Sequence, residues 1–290
     1  MTDKLTIEQL LLLLVYSGFS TRQIHKFFPN IERVNGNQST LIEILESHQD
    51  KRIQRKINKL RHMNIQLIEQ HLQDECIHTV SLYAANYPTL LKHIYDPPTI
   101  LFCRGQLQLL TYNQTLAIVG SRNHTHYTNK VLNDIMPHFA SAQLEIVSGL
   151  AKGADACAHQ LAIRYGCPTI AVLGFGHQHH YPKETKYLRN YMDRAQLTIS
   201  EYPPFVPPAA YRFPERNRLI SGLSKGVFIT EAKERSGALI TIDHALEQNR
   251  NVYVLPGDMY NPFTKGNLLR IQEGAEVVLS ENDILKDYCQ

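Results

Sequence analysis

The chain has 290 residues, enough for one large domain or two with a full core, and its 20% charged and 43% hydrophobic residues are ordinary globular values. A net charge of +3 is too mild to announce a nucleic-acid binder by composition, so any basic surface has to be local. Five scattered cysteines (Cys76, Cys103, Cys157, Cys167, Cys289) without CxxC spacing argue for reduced cytosolic thiols over a disulfide frame or a zinc site. Leu10–Val15, the greasiest run, is far too short to span a bilayer, and acidic Asp3 and Glu8 precede it where a signal peptide would be basic. A cytoplasmic protein with no membrane contact is expected.

Residues 1–75 are helical in pattern and poor in glycine. Thr6 can cap a helix through Leu10–Tyr16, Gly18-Phe-Ser-Thr breaks it, and Arg22–Phe28 starts another. Two short helices around a Gly turn resemble helix-hairpin-helix and sterile-alpha-motif bundles. A packing or interaction role is favoured there over direct DNA contact. From Cys76 the texture changes, and Pro88, Pro97 and Pro98 exclude a long helix and suggest an extended lead-in.

Strand-like runs then recur at Thr115–Val119, Glu145–Ser148, Pro168–Leu173, Gln196–Ser200, Val227–Thr230, Val252–Leu255 and Val277–Leu279, with helical patterns between most of them. That alternation predicts an α/β fold, a doubly wound, mainly parallel Rossmann-like sheet over residues 76–290, preceded by the small all-helical domain. In such sheets ligands bind beyond the carboxyl ends of the strands, at the switch point in strand order. The segments that follow the strands are Gly120-Ser121-Arg122, Gly149 to Asp155 with Lys152, Gly174-Phe-Gly176, Glu201-Tyr-Pro-Pro, Glu231 with Ser236-Gly237, and Pro256-Gly257. Each Gly has a plain use in a tight turn. Together with Arg122, Lys152 and Arg216 they describe one basic rim that a ligand can approach closely.

The stretch from Arg212 to Gly257 carries the strongest signal. Pro214 suits the first turn of a helix, and Gly226 can close that helix in a left-handed conformation. Arg212, Arg216 and Arg218 crowd the helix start against Glu215 alone, where the dipole disfavours cations. At 100° per residue Arg216 falls on the buried side with Leu219, Ile220 and Leu223, Asn217 at its edge, and Arg218 opposite. Salt bridges to neighbouring acids are the bland reading. An anion held where free N–H groups and guanidinium groups converge fits better.

Classical cofactor loops are missing. GxGxxG is absent and no GxxxxGK[ST] loop occurs, which speaks against a dinucleotide or P-loop ATP. Several separate phosphate-sized sites, interleaved with Phe175, Tyr181, Tyr202, Phe205, Tyr211 and Phe213, suit a single-stranded nucleic-acid track. About half of these rings are needed only to pack their loops. His177, His179 and His180, like His124 and His126, lack metal-ligand spacing and read as solvated loop residues, while His159 packs or caps. Glu201 and Glu231 end two strands, and an anion-positioning role or pairing with Arg216 or Arg218 is favoured over acid–base chemistry because no nucleophile accompanies them.

YPTLLKHIYDPPTILFCRG, AIVGSR, SGLAKGADACAH, FPERNRLISGLS, ITEAKERSGALIT and VLPG, in this order across residues 87–257, together resemble the DNA-processing protein A family (DprA/Smf). The resemblance implies an extended Rossmann-like fold with no catalytic centre, cofactor or metal. It also implies a homodimer that binds single-stranded DNA without strong sequence preference and loads RecA onto it during natural transformation. The family's DNA contacts carry over to Gly120, Ser121 and Arg122 of the GSR turn, to Gly149 and Lys152, to Arg216, Asn217 and Arg218, and to Ser236 and Gly237. Ala154 stands where a branched residue is usual, Lys152 where Arg is common, and GFGHQHHYP replaces the usual Leu-Asp after its second Gly with histidines. With Gln290 as its last residue, the chain is expected to make no winged-helix contact. The alternatives are a nucleoside-monophosphate phosphoribohydrolase using Glu231, for which PGGxGTxxE is missing, and a nucleotide-sensing module. An apolar patch on Leu268–Leu285 is a guess for the dimer surface.

Overall fold

The computed structural model describes residues 4–34 and 36–288, so Asp3 and Cys289 lie outside the described residues. Five helices come first: Ile7–Tyr16, Thr21–Phe27, Gln38–Glu46, Lys51–Arg61 and Ile65–Asp74. Thr6 caps the first through a reciprocal box with Gln9, and Ser20 does the same with Gln23 for the second. Gly18, at φ 93°, makes the turn between them.

Nine strands follow among the described residues: β1 (His78–Ser81), β2 (Ile100–Gly105), β3 (Thr115–Val119), β4 (Glu145–Ser148), β5 (Thr169–Leu173), β6 (Leu197–Ser200), β7 (Gly226–Ile229), β8 (Asn251–Val254) and β9 (Glu276–Val277). They form one sheet in the order β1-β2-β6-β5-β4-β3-β7-β8-β9. All pairs from β6 through β9 are parallel, and β1 and β2 are antiparallel additions at one edge. The seven strands expected from sequence are present within one or two residues. The supposed extended lead-in instead holds a short helix, Thr89–Lys92, and then β2. The expected left-handed helix end at Gly226 is also corrected. The helix Arg212–Gly222 ends at Leu223 in right-handed geometry, and Gly226 opens β7, where Tyr253 lies too close for any side chain.

Both faces of the sheet are covered, which is why its strands read as continuous apolar runs. Ala117, Val147, Ile170, Val172, Val227 and Val254 pack with helices Arg212–Gly222 and Gly237–Glu247. Leu116, Ile118, Ile146 and Phe228 pack on the opposite face with helices His126–Ser141 and Ala154–Tyr165. The period of two also settles β2: Leu101 and Cys103 join the first core, while Ile100 and Phe102 join the core of the N-terminal helices. No helix among the described residues is long and apolar enough to cross a membrane.

Glu145, at the start of β4, is fully buried, and neither carboxyl oxygen has a hydrogen-bond partner among the described residues. Burial pushes its pKa up to about 9. The folded chain therefore keeps a proton that the unfolded chain releases near pH 4.5. This contribution to stability is full below that pH and is lost as pH rises through the folded value. Urea unfolding at pH 5 and pH 8 should show Glu145→Gln gaining on the wild type by up to about 1.4 kcal/mol per pH unit. A pH-independent difference would show that the carboxyl is not held neutral.

Candidate nucleic-acid interface

The first helical connection, after β3, leads to β4, whereas the helix Arg212–Gly222 brings the chain back to β7 on the other side of β3. The crevice between the ends of β3 and β7 is therefore the switch point. Backbone hydrogen bonds stitch its turns together: Ser121 N–H donates to the Glu231 carbonyl (2.7 Å), and Ala154 N–H to that of Ser121 (3.1 Å). Gly153, at φ 93°, lets the segment after β4 sit against the carbonyls of Ser121 and Arg122, which a Cβ would approach to 2.5 Å.

A groove of about 660 Å³ opens over this crevice. Gly120, Ser121 and Arg122 line it from one turn, Arg216 and Asn217 from the helix, and Ser236 and Gly237 from the start of the helix Gly237–Glu247. Seven of the ten residues expected at the site thus share one groove. Asn217 Nδ2 donates to the Gly237 carbonyl (3.2 Å) and joins the two helices across it. Lys152 lies in an adjoining hollow, which Arg122 and Asn123 also line. Gly149 is buried beneath, and its carbonyl accepts from Arg216 Nη1 at 2.7 Å.

Arg216 is only 4% exposed, so it floors the groove and does not overhang the rim. Its guanidinium also donates to the Val172 carbonyl, while Nε has no partner among the described residues. Burial pulls its pKa down to about 10, Asp155 opposes that shift, and Arg122 adds to it. A Cβ on Gly149 would fall 2.4 Å from Nη1, so this Gly makes room for the arginine. Arg122, Arg216 and Lys233 face Asp155 as the sole acid lining the groove, so its lining is net positive. Arg122, Lys152 and Lys233 form no ion pair among the described residues.

Arg218 does not belong with them. It is buried, with Nη2 2.5 Å from Glu201 and Nε 3.4 Å from Asp96. Its direction away from Arg216 was legible, but the second layer of structure waiting there was not. Glu201 accordingly has the expected Arg partner, and burial raises its pKa. Glu231 has none. It accepts from Thr125 N–H, Thr125 Oγ1 and Thr128 Oγ1, and so holds the segment that follows Arg122.

His177 also departs from expectation. It is buried, Nε2–H donates to the Phe102 carbonyl (2.8 Å), and Nδ1 accepts from Arg189 (2.9 Å). Burial, with Arg189 alongside, holds its pKa well below the usual range. His159 packs as expected, bonded to Thr169. Among the aromatics, Phe175 is core, whereas Tyr181 and Phe213, 5.3 Å apart, wall the groove. Lys233 and Asn123 were not singled out. Lys233 stacks over Phe263 at 4.5 Å, and its place in the charged loop after β7 was the available signal.

The family profile described as DNA recombination-mediator protein A matches residues 78–289. DNA processing protein DprA of Bacillus subtilis is 40% identical over 215 residues, covering 74% of this chain and 72% of that one. Its namesake from Streptococcus pneumoniae is 43% identical over 202 residues, 70% and 71% of the two chains. The crystal structure of the S. pneumoniae protein superposes with a TM-score of 0.85 at 35% identity, over 98% of this chain and 99% of that one. A structure of DNA processing protein A from Helicobacter pylori, described for its single-stranded DNA binding mode, matches with a TM-score of 0.66 at 28% identity, over 73% and 97%. The chain belongs to the DNA recombination-mediator protein A family.

Proposed function

We propose that this protein binds single-stranded DNA, without strong sequence preference, in the groove over the β3/β7 crevice. The observation that carries the reading is the convergence of Arg122, Arg216, Asn217, Ser236 and Gly237 on one net-positive groove walled by Tyr181 and Phe213. Cations and N–H groups take phosphates, and flat rings take bases of any identity. Single-strand binding by the H. pylori relative supports it. Gly120, Ser121, Gly149 and Lys152 belong to the proposed site as turn, spacer and flank. Arg218 is reassigned to holding the helix.

In this reading the protein is a mediator, not an enzyme. Glu231, the acid the phosphoribohydrolase alternative needs, is fully buried and spent on three hydrogen bonds. Residues 76–290 carry the DNA site and residues 1–75 form an attached helical unit. Homodimerisation, and loading of RecA during natural transformation, complete the proposal. Leu279, 83% exposed within Leu268–Leu285, supports an apolar contact there.

Fluorescence anisotropy with labelled oligonucleotides tests the site. Arg122→Ala should weaken binding to all sequences alike and lower the salt slope by about 0.7. An unchanged slope in the folded variant rejects the groove. Arg218→Ala should instead destabilise the fold by about 3–5 kcal/mol, by stranding Glu201 while Asp96 keeps Arg22, and keep the wild-type slope. Gly149→Ala should displace Arg216 and lose affinity, whereas retained affinity would free Arg216 from the phosphate role. RecA assembly on single-stranded DNA, followed by the ATPase that accompanies it, should accelerate with the wild type and not with Arg122→Ala.

A further inference from the structure

We infer that a strand longer than the groove continues over the helix Ala154–Tyr165 and stacks its bases on Tyr187 and Tyr191. The inference rests on the proposed DNA reading of the groove and extends it to a second contact region.

The surface is continuous. Arg122 and Asn123 line both the groove and the Lys152 hollow, and Ala156 and Gln160 line both that hollow and the next one. This last hollow, about 350 Å³, lies between the helix Ala154–Tyr165 and the helix Lys186–Ala195. Tyr187 and Tyr191 stand on its wall, 87% and 43% exposed. Their i, i+4 spacing puts both rings on one helix face, one turn apart. Neither makes a ring contact or a hydrogen bond among the described residues.

Cations stand on the same segment as the two rings. Lys183, Lys186 and Arg194, on or beside the helix that carries the rings, are exposed and unpaired among the described residues, while Glu184 is the charged residue that lines the hollow itself. Open rings with free cations on the same segment are a combination that holds single strands. The reach is short as well. Tyr181 in the groove wall and Tyr187 are six residues apart, which puts their backbones within about 21 Å.

The chain contains no tryptophan, so each single Trp substitution is a unique fluorescent reporter. Tyr181→Trp reports the groove and Tyr187→Trp the second hollow. An oligothymidylate of about three nucleotides, too short to span the two rings, should quench only the first, and one of about 24 nucleotides should quench both. Tyr187→Ala and Tyr191→Ala should each lower affinity for the long strand at least about fivefold, leave the short one unchanged, and be rescued by Phe. Quenching of Tyr181→Trp alone by the long strand overturns the inference and leaves the groove standing. Quenching of Tyr187→Trp by the short strand also overturns it, because the hollow would then be an independent site. No quenching of Tyr181→Trp by either strand rejects the groove reading itself.

Discussion

The burial of one guanidinium group at the ends of two parallel strands constrains everything around it. Arg216 reaches from the helix Arg212–Gly222 to the carbonyls of Gly149, just past β4, and Val172, near the end of β5. Removing a cation from water costs several kcal/mol unless dipoles or counter-charges replace the lost hydration. Here two carbonyls and nearby Asp155 supply only part of that replacement. Nε stays unpartnered among the described residues, and the depressed pKa shows that burial still outweighs the compensation. The site is short of negative charge, and a phosphate in the groove would make up the shortfall. A fold that retains so expensive a feature generally does so for binding.

Two chains of ion pairs serve a different end. Arg22 bridges to Asp96, Asp96 to Arg218, and Arg218 to Glu201, a chain from the second helix to the end of β6. Glu75 pairs with Arg104, Arg104 with Asp193, and Asp193 with Arg189, which in turn donates to His177. Both chains run from the N-terminal helices to the β2/β6 side of the sheet, where Ile100 and Phe102 already join the helical core. The histidine-rich loop that carries Tyr181 is thereby anchored at its first histidine to β2, one strand in from the sheet edge. Electrostatics and apolar packing agree on how the helices sit.

The parallel sheet was legible because strands buried on both faces leave uninterrupted runs such as Thr115–Val119 and Val227–Thr230. The groove was legible because ligand sites in such sheets follow the strands, so its residues recur at predictable places. Helical periodicity also put Arg216 on the inward face. It could not say that Arg218, pointing the other way, would meet Asp96 and Glu201, since those acids are 122 and 17 positions away and only tertiary structure collects them. The same holds for His177, whose burial depends on Phe102 and Arg189. The edge strands were obscured by the prolines ahead of β2, which signalled extension but not pairing.

Groove size does not separate a strand from a mononucleotide, because about 660 Å³ suits either. The distribution of donors does. A nucleotide-binding Rossmann site gathers its phosphate contacts in one Gly-rich turn at one helix start. Here the polar and cationic groups are spread over the turns after β3, β4 and β7 and over the helix leading into β7, with Lys152 beyond the groove's end. A single phosphate cannot touch them all, whereas successive phosphates along a chain can. The spacing of the cations along the rim, more than their number, is what favours a polymer as the ligand.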